Sequence, residues 1–139
     1  MTTQLNPVNY GKAIQYQLAS IVSPVPVYAS FNRNFATQAK FVVWQLRSVH
    51  QPVYTGTTQS IKGIDRPIFQ ISIFTQKIED GFTISNQILQ SLHGYSGQFG
   101  SPTDGFYIAK ADVVWLYNSY DNEQNLAQIF MDCTIDVPA

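Results

Sequence analysis

The segment Ala127-Gln128-Ile129-Phe130-Met131-Asp132-Cys133-Thr134-Ile135-Asp136-Val137 decides the fold. Ala127, Ile129, Met131, Cys133, Ile135 and Val137 fall on one phase of a two-residue repeat, while Gln128, Asp132, Thr134 and Asp136 fall on the other. Successive side chains of a strand point to opposite faces, so the pattern predicts a strand with one face in a core and one face polar. Cys133 sits in the apolar phase and reads as a small core hydrophobe. Just upstream, Tyr107, Ala109, Ala111, Val113, Trp115 and Tyr117 alternate with Lys110 and Asp112. Asn118 to Asn125 then joins the two runs as a hairpin.

Working outward, Ile68-Phe69-Gln70-Ile71-Ser72-Ile73 alternates in the same way, and the β-branched and aromatic run from Phe41 to Val49 is a further strand. His50 to Pro67 lies between them with Pro52, Gly56 and Gly63, and reads as a long loop of the kind that carries function. Asn6 before Pro7 is a helix start, followed by Tyr10, Ile14, Leu18, Ile21 and Val22 at helical spacing and closed by Ser23-Pro24-Val25-Pro26. A second helix starts near Thr75 to Ile78, buries Ile78, Phe82, Ile88, Leu89 and Leu92, and ends at His93-Gly94. Gly94 to Gly105 reads as another loop. Helix, strands, helix, strands predicts an α+β fold: a single domain over residues 1–139, with a mostly antiparallel sheet and two helices packed on one face.

At 139 residues, with 45% apolar and 14% aromatic content, the chain can bury such a core without staples. Charged residues are only 12% and the net charge is −1, with the eight cations scattered from Lys12 to Lys110, so there is no basic stripe for a polyanion. Asn and Gln together outnumber the charged residues. An amide- and aromatic-rich exterior suits permanent protein contacts, because desolvating an ion costs more than desolvating an amide or a phenol; it also suits an ordinary domain with an amide-rich surface. Met-Thr-Thr-Gln at the start lacks the basic and apolar regions of a secretory signal, and no apolar run approaches a membrane span, which places the expected site of synthesis and folding in the cytoplasm.

Motifs for chemistry are missing. Gly94-Tyr95-Ser96-Gly97 fails as a nucleophile elbow because Gln98 stands where glycine is required. Gly94, Gly97 and Gly100 do not have dinucleotide-binding spacing, nor do Gly56 to Gly63 with Lys62 have phosphate-loop spacing. His50 and His93 lie on different elements, and a lone cysteine builds no zinc site, so no metal or other cofactor is expected. Asp112, Asp132 and Asp136 share the polar phase of paired strands, where an exposed sheet face explains them without acid/base work.

The order and spacing of these elements resembles the tail-terminator or tail-completion family of long-tailed bacteriophages, across nearly the whole chain. The residues carrying the likeness are the opening helix, Val25-Pro26-Val27-Tyr28, Phe41-Val42-Val43-Trp44-Gln45-Leu46 and Phe69-Gln70-Ile71-Ser72-Ile73-Phe74. Leu92-His93-Gly94-Tyr95-Ser96-Gly97 and a closing hairpin ending Gln128-Ile129-Phe130-Met131-Asp132 complete the set. The resemblance implies a non-enzymatic virion protein, a homo-oligomeric ring usually of six subunits on the head-proximal end of the tail tube. Such a ring stops tube polymerisation and meets the neck or head-completion proteins, with DNA passing its lumen. On that reading Asp112, Asp132 and Asp136 line the opening, or else face ordinary solvent. Tyr54, Thr55, Lys62, Asp65 and Arg66, and the hairpin tip Tyr120, Asp121, Asn122 and Glu123, are the expected assembly contacts. Another virion ring component, whether tail-tube or head-completion protein, and a carbohydrate-binding module with Trp44 or Trp115 on an open face are the competing readings.

Overall fold

Asn6 opens helix α1 (Pro7–Val22): its side-chain oxygen accepts the Asn9 backbone N–H at 3.3 Å, and Pro7 occupies the first turn, where no amide hydrogen is needed. The structure is a computed structural model that describes residues 6–30, 39–53, 64–122 and 125–138. After α1 come β1 (Val27–Ala29), β2 (Lys40–Val53), β3 (Ile64–Thr75), helix α2 (Ile78–Leu92), β4 (Gly97–Phe99), β5 (Phe106–Ile108), β6 (Lys110–Asp121) and β7 (Leu126–Asp136). Five strands form one sheet in the order β1-β2-β3-β7-β6, in which only β1 runs parallel to its neighbour; β4 and β5 make a separate antiparallel ribbon. Both helices lie on the same face, α1 against β1 and β2 and α2 against β3, β7 and β6. The α+β architecture read from the sequence is the observed one.

The core is the layer between them. Ala127, Ile129, Met131, Cys133, Ile135 and Val137 are all buried, joined by Phe69, Ile71 and Ile73 from β3 and Val42 from β2. Tyr10, Ala13, Ile14, Leu18 and Val22 of α1 and Gly81, Ile84, Ser85, Ile88 and Leu92 of α2 close it from above. Phe82, expected in that stripe, is 46% exposed. The reason is Gly81: a Cβ there would stand 2.9 Å from Ile129 Cδ1, so α2 sits down on the sheet at this glycine and turns Phe82 outward.

The expected loop from His50 to Pro67 is largely ladder. Both strands run on until Val53 pairs with Ile64, with irregularities between Leu46 and Ser48 and between His50 and Val53. The first extra residue, Arg47, shifts the phase so that Val49 still faces the core. Pro67 misled the reading, because a proline normally marks the limit of an interior strand. Here it interrupts only the pairing with β7, which stops at Ile68 and resumes as a single bridge between Asp65 and Val137. The run read as one strand from Tyr107 is also two: Phe106 and Ile108 are buried and Tyr107 is 58% exposed, then the phase changes at Ala109. β4 lies within the stretch read as a loop.

Tyr10 ties α1 to the far end of β3. Its ring is fully buried, meets Phe106 edge-on at 5.6 Å, and its hydroxyl donates to Asp65 Oδ2 at 2.5 Å. Asp65 also exchanges backbone hydrogen bonds with Val137, so one polar knot joins the first helix to the last strand. Tyr10→Phe removes a hydrogen bond to a buried carboxylate and is expected to cost about 1–3 kcal/mol, read as a lower urea midpoint at unchanged slope.

Burial pushes the Cys133 thiol up from 9.0 to about 12, with Asp112 and Asp132 adding to the effect. The folded state therefore holds a proton that the unfolded state releases, and this contribution is full below about pH 9 and lost as pH rises toward 12. Thermal unfolding across that range is expected to show a smaller alkaline loss in Cys133→Ala than in the native chain, and thiol reagents at pH 8 are expected to label the native chain only as fast as it unfolds.

Candidate assembly surfaces

The face of the sheet away from the helices carries three ion pairs. Arg47 Nη1 reaches Asp132 Oδ2 at 2.7 Å, Arg66 Nε reaches Asp136 Oδ1 at 3.0 Å, and Lys110 Nζ reaches Asp112 Oδ2 at 3.3 Å. Each aspartate expected to line an opening thus has its own cation, and the acidity that singled them out is neutralised in place. Their register brings them together: Asp112 pairs with Thr134, Lys110 with Asp136, and Asp132 with Gln70. Asp136 is nearly buried, whereas Asp112 stays half exposed. Asp132 Oδ1 is buried and accepts no hydrogen bond, so Arg47 is what compensates this carboxylate.

The other half of this face is apolar. Phe41, Val43 and Leu126 are buried there with Tyr28 and Phe74 beside them; Phe41 stacks on Phe74 at 5.0 Å, and Tyr117 meets Phe130 at 4.8 Å. The uniformly polar face expected of β7 is therefore polar at one end only. Phe74 and Phe130, apolar residues on the polar phase, were the signal in the sequence.

Of the expected contact residues, Tyr54, Thr55, Lys62 and Glu123 lie outside the described residues. Asp65 and Arg66 are on β3, not on a loop, because the strand continues past Pro67; Asp65 is fully buried against Tyr10, and only Arg66 reaches the surface. Tyr120 and Asp121 end β6, with Asn122 next; Tyr120 is 54% exposed and its hydroxyl lies 3.3 Å from Asn125 Oδ1.

The sequence reading missed the outer edge of β6. β6 ends the sheet and exposes Val114, Leu116, Tyr117 and Tyr120, with Phe82 beside Trp115 at 6.3 Å. Its first half is covered by the turn after α2, where Gly94 takes a φ of +78°. Gly94 N–H donates to the Ala111 carbonyl at 2.7 Å, and Val113 N–H donates to His93 Nδ1 at 3.0 Å. His93 is thus a hydrogen-bond acceptor on the strand edge. Neither tryptophan offers an open platform: Trp44 packs under Gly11 and bonds Gln15 Oε1 through its indole N–H at 2.7 Å, and Trp115 is packed against the core. This removes the feature on which the carbohydrate-binding reading stood. Among the described residues no group of three His, Cys, Asp or Glu side chains could hold a metal ion, and no helix is long and apolar enough to cross a membrane.

Similarity to solved structures extends over the whole of this architecture. A chain of the virion of a native gene transfer agent particle superposes with a TM-score of 0.57 at 12% identity, covering 100% of both chains. The sheath/tube terminator of an extracellular contractile injection system, PVC, in its extended state superposes with a TM-score of 0.53 at 9% identity. The chain shares the fold of that terminator. The match covers 99% of this chain and 58% of the terminator, so the chain spans somewhat more than half the terminator's length. No protein-family model matches the sequence, and no curated protein matches it.

The shortest and the longest of the three ion pairs on the sheet differ in burial, and that difference is measurable. Asp132 is mostly covered and Asp112 is half exposed. Arg47→Ala is expected to lower the unfolding free energy by about 1 kcal/mol, and Lys110→Ala by less than about 0.5 kcal/mol, in parallel urea titrations at low salt.

Proposed function

We propose that this chain is a structural component of a phage-type tail: a tail terminator whose copies close into a ring, six in number, on the head-proximal end of the tail tube. In this role the ring stops tube polymerisation, joins the tail to the neck or head-completion protein, and lets DNA pass without specific binding. It works by contact alone, in the virion, after assembly in the host cytoplasm, with residues 1–139 acting as one unit and with no cofactor.

The observation that carries this reading is the fold likeness, over essentially the whole of this chain, to part of a sheath/tube terminator and to a full-length chain of a gene transfer agent virion. The surface chemistry agrees with it. Subunits of a closed ring need two different, complementary patches per copy and few bare charges on them. A sheet face on which Asp112, Asp132 and Asp136 are each matched by a cation presents little net charge there to passing DNA, which suits a lumen that must not hold a polyanion. Tyr120, Asp121, Asn122 and Glu123, from the end of β6 toward β7, with Tyr54, Thr55, Lys62 and Arg66, remain the proposed contacts to tail and neck partners.

Deleting the gene from the element that encodes the chain is expected to yield tails of uncontrolled length and unjoined heads in negative-stain images. Complementation is expected to restore joined particles with a ring at the neck. Normal particles without the gene, or tube subunits labelled along the whole tail by an antibody to this chain, would exclude the terminator role.

A further inference from the structure

The five-stranded sheet has an open edge on each side, and the two openings lie at opposite ends. On β6, the Ala111 carbonyl and the Val113 N–H point away from β7 and are taken by Gly94 N–H and His93 Nδ1. Cys133 stands opposite Val113, so along unbroken β7 the alternate residues Met131, Ile129 and Ala127 hold the same position. Their partners Trp115, Asn118 and Tyr120 therefore turn N–H and C=O outward, beyond the His93 turn. From Val114 to Tyr120 the strand carries neither charge nor proline, the residues that usually guard an edge. Exposed side chains flank this edge on both faces: Val114 and Tyr117 on the face of Asp132 and Phe130, and Tyr120 with Phe82 of α2 on the helix face. An added strand, which has two faces of its own, lies beside both sets at once.

On the far side of the sheet, β1 covers β2 from Val42 to Trp44 and no further: Val42 N–H donates to the Pro26 carbonyl and Ser30 N–H to the Trp44 carbonyl. Ile73 and Ile71 stand opposite Val42 and Trp44, and the next residues of β3 in that position are Phe69 and Pro67. Leu46 and Val49, opposite these, turn N–H and C=O outward as well, and among the described residues no strand pairs with them there. β1 offers less, being three residues long with its Val27 carbonyl held by Gln15 Nε2 at 3.0 Å. Arg47, the one ion between Leu46 and Val49, is already bonded to Asp132.

The two openings are complementary. β6 and β2 run in opposite directions, so copies related by rotation about a ring axis bring them together antiparallel. With Tyr120 opposite Leu46 and Asn118 opposite Val49, the outward backbone groups of both pairs face each other. In that register Asp121 stops level with Gln45, one position short of the end of β1, and the His93 turn falls just past Val53. A shift of two residues one way drives Tyr120 into β1, and the other way leaves Leu46 beyond the end of β6. The offset also suits closure. Within one copy Asn118 is level with Ile129, Ile73 and Val42, so joining it to Val49 moves the ladder by the six residues from Ile73 to Pro67 for every four strands. That is about 20 Å along the strands for about 19 Å across them, a tilt of about 45°, at the upper end of what closed sheets adopt.

We infer that the occupant of the β6 edge is β2 of a second copy: Trp115 to Tyr120 add as an antiparallel strand to the outer side of Leu46 to Val49, and the sheet continues from copy to copy. The inference deepens the proposed ring and rests on that reading. The contact is heterologous, since each copy gives β6 to one neighbour and β2 to the other.

Ser48 and Ser119 test it, because this register sets them directly opposite on the face away from the helices, at a spacing a disulfide can span. The native Cys133 is buried and stays protonated at neutral pH. A full-length Ser48→Cys/Ser119→Cys variant under mild oxidation is expected to give a ladder from dimer upward on non-reducing denaturing gels. An equimolar mixture of the two single variants is expected to stop at dimer, each single variant alone to stay monomeric, and Ser48→Cys/Val114→Cys, off register, to cross-link several-fold less. Asn118→Pro is the second arm. The Asn118 N–H points away from β7, so the urea midpoint is expected to stay near that of wild type while rings are lost. Dimers from Ser119→Cys alone would mean a two-fold β6 contact and would overturn the inference, as would equal cross-linking of the Val114 variant. So would rings formed by Asn118→Pro, or wild-type rings in electron micrographs under conditions where the folded Ser48/Ser119 variant gives no ladder; both leave the ring itself standing. A wild-type chain that forms no ring, free or on tail tubes, would overturn the ring and the inference together.

Discussion

Everything in this fold follows from the one-sided burial of its two central strands. β3 alternates between half-buried and buried residues along its whole length, and β7 does so from Ala127 to Ile135. Phe69, Ile71, Ile73, Ile129 and Met131 are fully buried on the same side, and each is worth about 1.5–3 kcal/mol relative to exposure. A slip of one residue would turn all of them to solvent, so the register is fixed by the pattern itself. One apolar face can be covered from one side only, which puts both helices there and leaves the reverse face to other duties.

That constraint explains which parts of the structure are legible in the sequence. The two helices, the central strands and the buried Cys133 follow from periods of 3.6 and 2, because burial of one face is what those periods record. The reading failed where a residue served two masters. Pro67 breaks a ladder on one side while its strand continues on the other, so the strand was cut short and Asp65 and Arg66 were placed on a loop. Gly81 looked like a weak point of a helix, yet it is the close contact of α2 with Ile129 that turns Phe82 outward. Arg47 adds one residue to β2, which restores a phase that local alternation alone would lose. Each of these depends on a neighbour distant in the chain.

The candidate surfaces were less legible, for a related reason. Asp112, Asp132 and Asp136 share a face as the alternation requires, but the partners of Asp132 and Asp136, Arg47 and Arg66, lie 85 and 70 residues away in the chain. Acidity read along a chain is not acidity on a surface until the cations across the sheet are known. The β6 edge shows the reverse case. Val114, Leu116 and Tyr117 look in sequence like part of a core strand, yet all three are exposed, and the irregularity between Trp115 and Tyr117 turns Tyr117 to the face of Phe130.

The placement of charge and apolar surface then argues about function in physical terms. Asp112, Asp132 and Asp136 are matched by cations on an open face, His93 accepts a backbone N–H, and Asp65, fully buried, is bound to Tyr10 in a structural knot. Exposed apolar side chains, by contrast, are found on β6 (Val114, Leu116, Tyr117, Tyr120) and on α1 (Val8, Tyr16), with Phe82 and Tyr107 besides. On the ring reading proposed above, exposed apolar side chains are the groups that contact between copies would cover, at a lower desolvation cost than charges would carry.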